Sequence, residues 1–439
     1  MPQKYYKCKI PFHQPYFDEE DIKAVVETLR SGWVTTGPAV KAFEKAFCEY
    51  VGALYSVAVN SCTAAMHLAL AALGIGPGDA VLTTPYTFVA TAEAIQYLGA
   101  KPVFVDISEE DFNLDPGLIE DVIRKSGEKV RALLPVHVAG HPCDMKAIME
   151  VAEWYGLRVV EDAAHALEAA IGAERKAQRA GGVETERRAW REVRAEEIRN
   201  PLRWKVGTIG DATCFSFYAT KNITTGEGGM VTTNDAELAE KIRCLSLHGM
   251  SRDAWKRYSA EGSWYYEIIE QGYKYNMPDL LAALGLSQLR KVDKMFRIRR
   301  RYAEIYEQEL GVLSGIITPK PGLDVRHAWH LYIIRLQTER LKITRTEFIQ
   351  KLEAAGIGTS VHFIPLHLHP FYQKNFNYKY GDFPVAEKVY ESAVSLPLYP
   401  KMTEEHVCYV ASKVEELLKE NYKPTLFAGH EMLSDNSGI

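Results

Sequence analysis

Residues 211–230 read DATCFSFYATKNITTGEGGM. An apolar, strand-like run ends at Ser216. One lysine, Lys221, follows in the spacing Ser216-x-x-x-x-Lys221, just ahead of a glycine-rich turn. A lysine in that setting is costly to desolvate as an ammonium, so its pKa is expected to fall towards neutrality. A neutral amine is the form that makes an imine with an aldehyde cofactor. Upstream, residues 159–169 read VVEDAAHALEA, which sets a carboxylate, Asp162, at a strand end and an imidazole, His165, shortly after it. Lysine, aspartate and hydroxyl together suggest pyridoxal 5′-phosphate (PLP) held as a Schiff base on Lys221.

Outward from this stretch, the first half of the chain alternates strand and helix signals. Strand-like runs fall at 56–59, 80–83, 102–105, 132–136 and 158–160, with helical patterns between them, several closed by glycine (Gly74, Gly99, Gly156). Asp18 is placed to cap a helix whose apolar residues Ile22, Val25, Val26 and Leu29 share one face and which ends at Gly32. Pro38 suits the first turn of the next helix, with Val40, Phe43 and Phe47 inward. The alternation predicts an α/β fold with a largely parallel sheet covered on both faces, whose ligands sit at the carboxyl ends of the strands.

The composition shifts after about Gly249. An aromatic-rich stretch at 255–275 leads into a helical run at 278–309. A smaller α+β unit follows: a strand at 329–335, a helix opened by the capping box Thr344-x-x-Glu347 and ended by Gly356, and a strand at 358–363. The expected organisation is a large domain over 1–250, a small C-terminal domain over 251–425 and a loose tail over 426–439. One segment, 174–199, is dense in Arg and Glu. Its charge pattern favours a solvated excursion over a partner-binding arm.

The chain has 439 residues, 47% hydrophobic and 25% charged, with a net charge of −5. This balance argues against nucleic acid as a partner. The N-terminal MPQKYYKCKIPFHQPYF has no apolar core of a signal peptide, and no run is long enough to span a bilayer, so a cytoplasmic protein is expected. Seven scattered cysteines without a C-x-x-C fit free thiols in a reducing compartment. His137, His141 and Cys143 have a spacing that invites a metal, as do His362, His367 and His369, but neither set reads as a full ligand shell. Gly74-x-Gly76-x-Gly78 follows a helix instead of a strand and reads as a turn, not a dinucleotide fingerprint.

The ordered motifs resemble those of the DegT/DnrJ/EryC1/StrS family of PLP-dependent nucleotide-sugar aminotransferases, of fold type I. They run from SGWVTTGP at Ser31 and NSCTAAMHLAL at Asn60, through PYTFVATAEAI at Pro85 and PVHVAGHPCDM at Pro135, to HAWHLYIIRL at His327, VHFIPLHLHP at Val361 and SLPLYP at Ser395. The resemblance implies that Lys221 carries the cofactor and shuttles the proton. It implies that Asp162 pairs with the pyridine nitrogen and that His165 lies beside the ring. By the same resemblance Thr63, Ala64 and Ser216 hold the phosphate, Phe88 stacks on the ring, and Asn276 reaches the cofactor of the neighbouring subunit in a homodimer. Trp33, Thr35, His327 and His362 match positions near the sugar nucleotide. The implied reaction moves an amino group, with L-glutamate the expected donor, to a nucleotide-linked 4-keto-6-deoxy hexose. A keto-cyclitol aminotransferase and a non-catalytic PLP-binding regulator are the alternatives. A sugar dehydratase of the same family is disfavoured because such members replace the lysine present here as Lys221.

Overall fold

The computed structural model describes residues 9–172, 204–250, 266–322 and 324–423. The charged excursion at 174–199, most of the aromatic-rich stretch and the tail lie outside the described residues.

The central sheet contains β1 (Tyr55–Val59), β2 (Ala80–Thr83), β3 (Lys101–Phe104), β4 (Val130–Leu133) and β5 (Arg158–Asp162). The short strands β6 (Ala170–Ile171) and β7 (Trp204–Lys205) pair beside it, and β8 (Ala212–Ser216) and β9 (Gly229–Thr233) complete the sheet. The spatial order is β1-β9-β8-β5-β4-β2-β3. β9 runs antiparallel to both β1 and β8, and the remaining pairings are parallel, so six strands share one direction. Side chains alternate between its faces. Cys214 of β8 joins Met66 and Leu70 of the helix Cys62–Ala72, whereas its neighbour Phe215 turns the other way onto Phe47, ring centroids 5.1 Å apart.

A smaller C-terminal region is built on β10 (Ile316–Ile317), β12 (Tyr332–Leu336) and β13 (Ala393–Leu396), while β11 (Val325–Arg326) pairs with β6. Its core gathers Tyr306, Phe348, Val410 and Val414 around β12. The helix Arg345–Ala354 has the expected Thr344/Glu347 capping box, and Gly356 follows it at φ +80°.

Two local expectations are corrected, and one helix forms as expected with a different buried residue. The helical run at 278–309 is two helices, Asp279–Arg290 and Val292–Leu310, broken at Lys291. The Lys291 ammonium is held 2.5 Å from Asp18 and 2.7 Å from Asp21, a tertiary demand that helical periodicity does not contain. The strand at 358–363 is reduced to one bridge, Ser360 to Ser395. Here the N-terminal segment intervenes: a Cβ on Gly358 would lie 2.6 Å from the Phe12 nitrogen. The helix Glu19–Ser31 forms with its Asp18 cap, but Ile22 and Leu29 stay 53% and 54% exposed. Its buried residue is Asp21, which accepts from Ser287 Oγ at 2.7 Å and Gln288 Nε2 at 2.8 Å.

Candidate active site

A cavity of ≈ 510 Å³ opens at the carboxyl ends of β5 and β8. Its wall holds Thr63, Phe88, Asp162, His165, Ser216, Lys221 and His362. Seven of the residues singled out in sequence are thus brought together by the parallel topology. Ala64 stands beside Thr63, but its N–H is taken by Ser61 Oγ at 3.1 Å. Trp33, Thr35, Asn276 and His327 do not line this cavity. Thr35 and Asn276 belong instead to a separate patch. There Asn276 Nδ2 donates to Thr36 Oγ1 at 2.7 Å and the Asp279 N–H donates to Thr35 O at 3.1 Å. Trp33 Nε1 donates to Thr36 O at 3.3 Å, which ties the indole to the same patch. His327 is buried behind the wall and accepts the Trp329 N–H at 2.8 Å.

Lys221 sits where burial penalises the ammonium, and its pKa falls from 10.5 to about 8; Asp162 opposes the fall. Asp162 ends β5. Thr91 Oγ1 donates to its Oδ2 at 2.8 Å and the Ala164 N–H to its Oδ1 at 3.1 Å. Burial nonetheless pushes its carboxyl above the usual range. Its neighbour Glu161 points through the opposite face of the sheet, where it accepts from Gly210 N, Thr213 Oγ1 and His137 Nε2 at 2.7–3.0 Å. That bond and one from the Cys143 N–H to Nδ1 at 3.0 Å occupy both nitrogens of His137.

His165 is buried, its Nδ1 has no partner among the described residues, and burial holds its pKa well below the ordinary value. Gly140 makes room for it: at φ +94° a Cβ there would lie 2.8 Å from His165 O. The helix Cys62–Ala72 points its N-terminus into the cavity, as an anion site requires. Gly229 allows that approach, since its Cβ would overlap Ser61 at 2.5 Å.

Sequence reasoning missed several wall residues. Thr91 orients Asp162, His330 lies against His165 with ring centroids 4.2 Å apart, and Phe12 and His13 reach in from the N-terminal segment. The second half of HAWHLY carried the signal for His330, but which of its two histidines enters the cavity depends on the turn. Trp329 takes φ +51°, and the His330 N–H is held by Ala139 O at 3.1 Å.

These residues fit PLP. Asp162 is a buried carboxyl with no paired cation in hydrogen-bond contact among the described residues, which suits a protonated pyridine nitrogen. Phe88 exposes 63% of its surface at the mouth, a free ring face for stacking. Lys221 offers the amine and the helix N-terminus an anion site.

The sequence profile of the DegT/DnrJ/EryC1/StrS aminotransferase family matches residues 15–415. The chain belongs to this family. The aminotransferase is 49% identical over 411 residues to the spore coat polysaccharide biosynthesis protein SpsC of Bacillus subtilis, covering 93% of this chain and 97% of that protein. It is 39% identical over 415 residues to the UDP-4-amino-4-deoxy-L-arabinose–oxoglutarate aminotransferase of Shewanella sediminis, covering 93% and 98%. Among solved structures, Spr1654 of Streptococcus pneumoniae in its PMP form superposes with a TM-score of 0.81 at 33% identity, covering 94% of this chain and 100% of that one. The PLP form of the same protein gives 0.80. The aminotransferase is a PLP-dependent enzyme of fold type I.

The site also predicts acid sensitivity. Burial lowers His13 and His362 from 6.5 to about 4. The unfolded chain takes up these protons near pH 6.5 and the folded chain only near pH 4. The stability involved is therefore complete above 6.5 and is lost as pH falls towards 4. At pH 5 these two groups are expected to remove at most about 4 kcal/mol. His165, His327 and His330, lowered by burial in the same sense, add to the loss. Urea unfolding of the cofactor-free protein at pH 7 and pH 5 checks this; equal midpoints would mean that these imidazoles are not held neutral.

Proposed function

We propose that this aminotransferase moves an amino group from L-glutamate to a nucleotide-linked 4-keto sugar, a 4-keto-6-deoxy hexose in the first instance. The observation that carries the reading is the juxtaposition, in one cavity, of a lysine with a depressed pKa and a buried carboxyl that, among the described residues, forms no salt bridge. The name of the Shewanella sediminis relative supports both a UDP-sugar and the glutamate/oxoglutarate couple, and that of SpsC supports a polysaccharide destination.

Each residue has a part in this reading. Lys221 binds PLP through Nζ and, once free, moves a proton between the two carbons that exchange the amine. Asp162 holds a proton on the pyridine nitrogen, and Thr91 and the Ala164 N–H orient its two oxygens. His165 forms one wall of the ring slot and Phe88 the other. Thr63, the N-terminus of its helix and Ser216 bind the phosphate, with Ala64 joining if Ser61 releases its N–H. His362, held by Ser395 Oγ at 2.9 Å, faces the sugar side. PLP, when bound, supplies an electron sink for the carbanion beside the transferred nitrogen.

The working unit in this reading is a cytoplasmic homodimer. Among the described residues the cavity wall offers one cation, Lys221, and no arginine, too little for a donor carboxylate and a diphosphate together. The exposed apolar side chains Val34, Ile22 and Leu29 support a second copy packing on this chain. Because Trp33 and Thr35 share their patch with Asn276, all three would serve the partner's cavity. Mixing inactive Lys221→Ala and Asn276→Ala subunits should then restore activity, to about a quarter of wild type for random two-fold pairing with one intact site per mixed dimer. No recovery on mixing would remove the shared-site part of the reading.

The test of the whole is spectroscopic. The purified protein loaded with PLP should show visible absorption that L-glutamate converts to near-ultraviolet absorption, and a UDP-linked 4-keto sugar should restore it. A keto-cyclitol restoring it instead would redirect the acceptor. No visible absorption after PLP addition would leave a regulator without turnover.

A further inference from the structure

Directly after Lys221, the side chain of Asn222 enters a buried hydrogen-bonded chain. Its Nδ2 donates both hydrogens, one to Glu168 Oε2 and one to Ala328 O at 3.3 Å. Arg299 donates to the other oxygen of Glu168 and opposes the rise that burial imposes on that carboxyl's pKa. These contacts decide which end of the amide is nitrogen. Asn222 Oδ1 is left facing His330 Nδ1 at 3.0 Å, and because an amide oxygen only accepts, the hydrogen of His330 must lie on Nδ1. The His330 Nε2 is therefore a bare acceptor. His330 and Lys221 together line both the main cavity and a smaller adjoining one.

We propose that His330 is a positioning residue for Lys221: locked in one tautomer by Asn222, it offers Nε2 as a hydrogen-bond acceptor that the Lys221 amine turns to once it is released from the cofactor or before it binds it. The inference rests on the assignment of Lys221 as the cofactor lysine. An amine held this way by one N–H keeps its lone pair directed away from His330, towards the opposite side of the cavity. The buried chain behind Asn222 gives the acceptor a fixed direction, and Ala139 O fixes the His330 backbone. Among the described residues, Asp162 and Cys62 act most directly on the Lys221 amine, with the imidazoles of His13, His165 and His362 beyond them; Tyr218 and Glu227 also line the main cavity and Arg299 the smaller one. All of these imidazoles are neutral near pH 7 through burial, so His330 is not displaced from its task by a neighbouring imidazolium.

The test uses the full chain freed of PLP, and follows the rate of PLP uptake against pH by the rise of visible absorbance. Uptake needs the neutral amine, so its midpoint reports Lys221. An acceptor on the ammonium raises that midpoint. His330→Leu is expected to move it down by about one pH unit, a tenfold change in neutral fraction below the midpoint. Asn222→Leu should do the same by freeing the tautomer. His330→Gln, which can present an amide oxygen where Nε2 stood, should stay at the wild-type midpoint. A wild-type midpoint in His330→Leu overturns the proposal, as does a His330→Gln shift equal to that of His330→Leu. A shift in His330→Leu without one in folded Asn222→Leu overturns the tautomer lock. Should Asn222→Leu fail to fold, the two His330 variants decide. Lys221→Ala is the separate control: uptake in it like that of wild type would sink the lysine assignment, not the role of His330.

Discussion

Lys221→Ala is expected to lose the visible absorption of lysine-bound PLP and to lower amino transfer by on the order of 10,000-fold or more, since both the covalent anchor and the proton carrier leave together. The same substitution should not weaken the cofactor-free fold. The buried amine has a pKa of about 8 against 10.5 in the unfolded chain. Between those values the unfolded chain binds more protons, so wild-type stability rises as pH climbs from 8 to 10.5. Below pH 8 the buried ammonium costs at most about 3 kcal/mol. Removing it should raise the cofactor-free melting temperature at pH 7, and this gain should shrink at pH 10. Absorbance spectra and thermal melts of both proteins at the two pH values check the pair of expectations. Visible absorption surviving in Lys221→Ala would end the assignment of this residue.

The parts of the site legible in sequence are those fixed by short-range chemistry. Asp162 and Ser216 end strands of a parallel sheet, and Ser61 caps the helix that carries Thr63. A strand-end aspartate or a Ser-capped helix is written in a few consecutive residues, and parallel topology brings such ends together without further instruction. What the sequence does not show is long-range. Glu168, Asn222, Arg299 and His330 come from four distant segments, and their bonds exist only after both regions have folded. The N-terminal Phe12 and His13 enter the cavity because Ile10 is bridged to Ile357, a pairing that no local pattern records. The stripe of Ile22 and Leu29 shows the same limit. Periodicity established that a face exists, but the fully buried residue is Asp21, Val25 and Val26 are only half-buried, and Ile22 and Leu29 stay exposed. A hydrophobic pattern names a surface and is silent on whether anything covers it.

Asp162→Asn isolates the second large effect. The substitution keeps shape and removes charge. An asparagine oxygen still accepts the Ala164 N–H, and the Thr91 hydroxyl, 2.8 Å from both Thr87 Oγ1 and Asp162 Oδ2, has the freedom to turn and accept from the new amide. No buried polar atom need be orphaned, and a carboxylate disfavoured by burial is gone. The folded protein is therefore expected to be at least as stable as wild type without cofactor. Function should respond in the opposite sense. A neutral amide cannot hold the proton on the pyridine nitrogen, so charge developing in the ring is no longer offset. Amino transfer should fall by roughly 100- to 10,000-fold, the range for a positioned proton-holding or electrostatic group. PLP should still attach, because Lys221 is intact, and its neutral fraction at pH 7 should rise, because Asp162 now opposes the fall of the Lys221 pKa. Single-turnover rates with L-glutamate, spectra of the loaded variant and the pH dependence of PLP uptake separate these effects. Near-wild-type turnover in a folded, PLP-loaded Asp162→Asn would show that the proton on the ring nitrogen is held by something else.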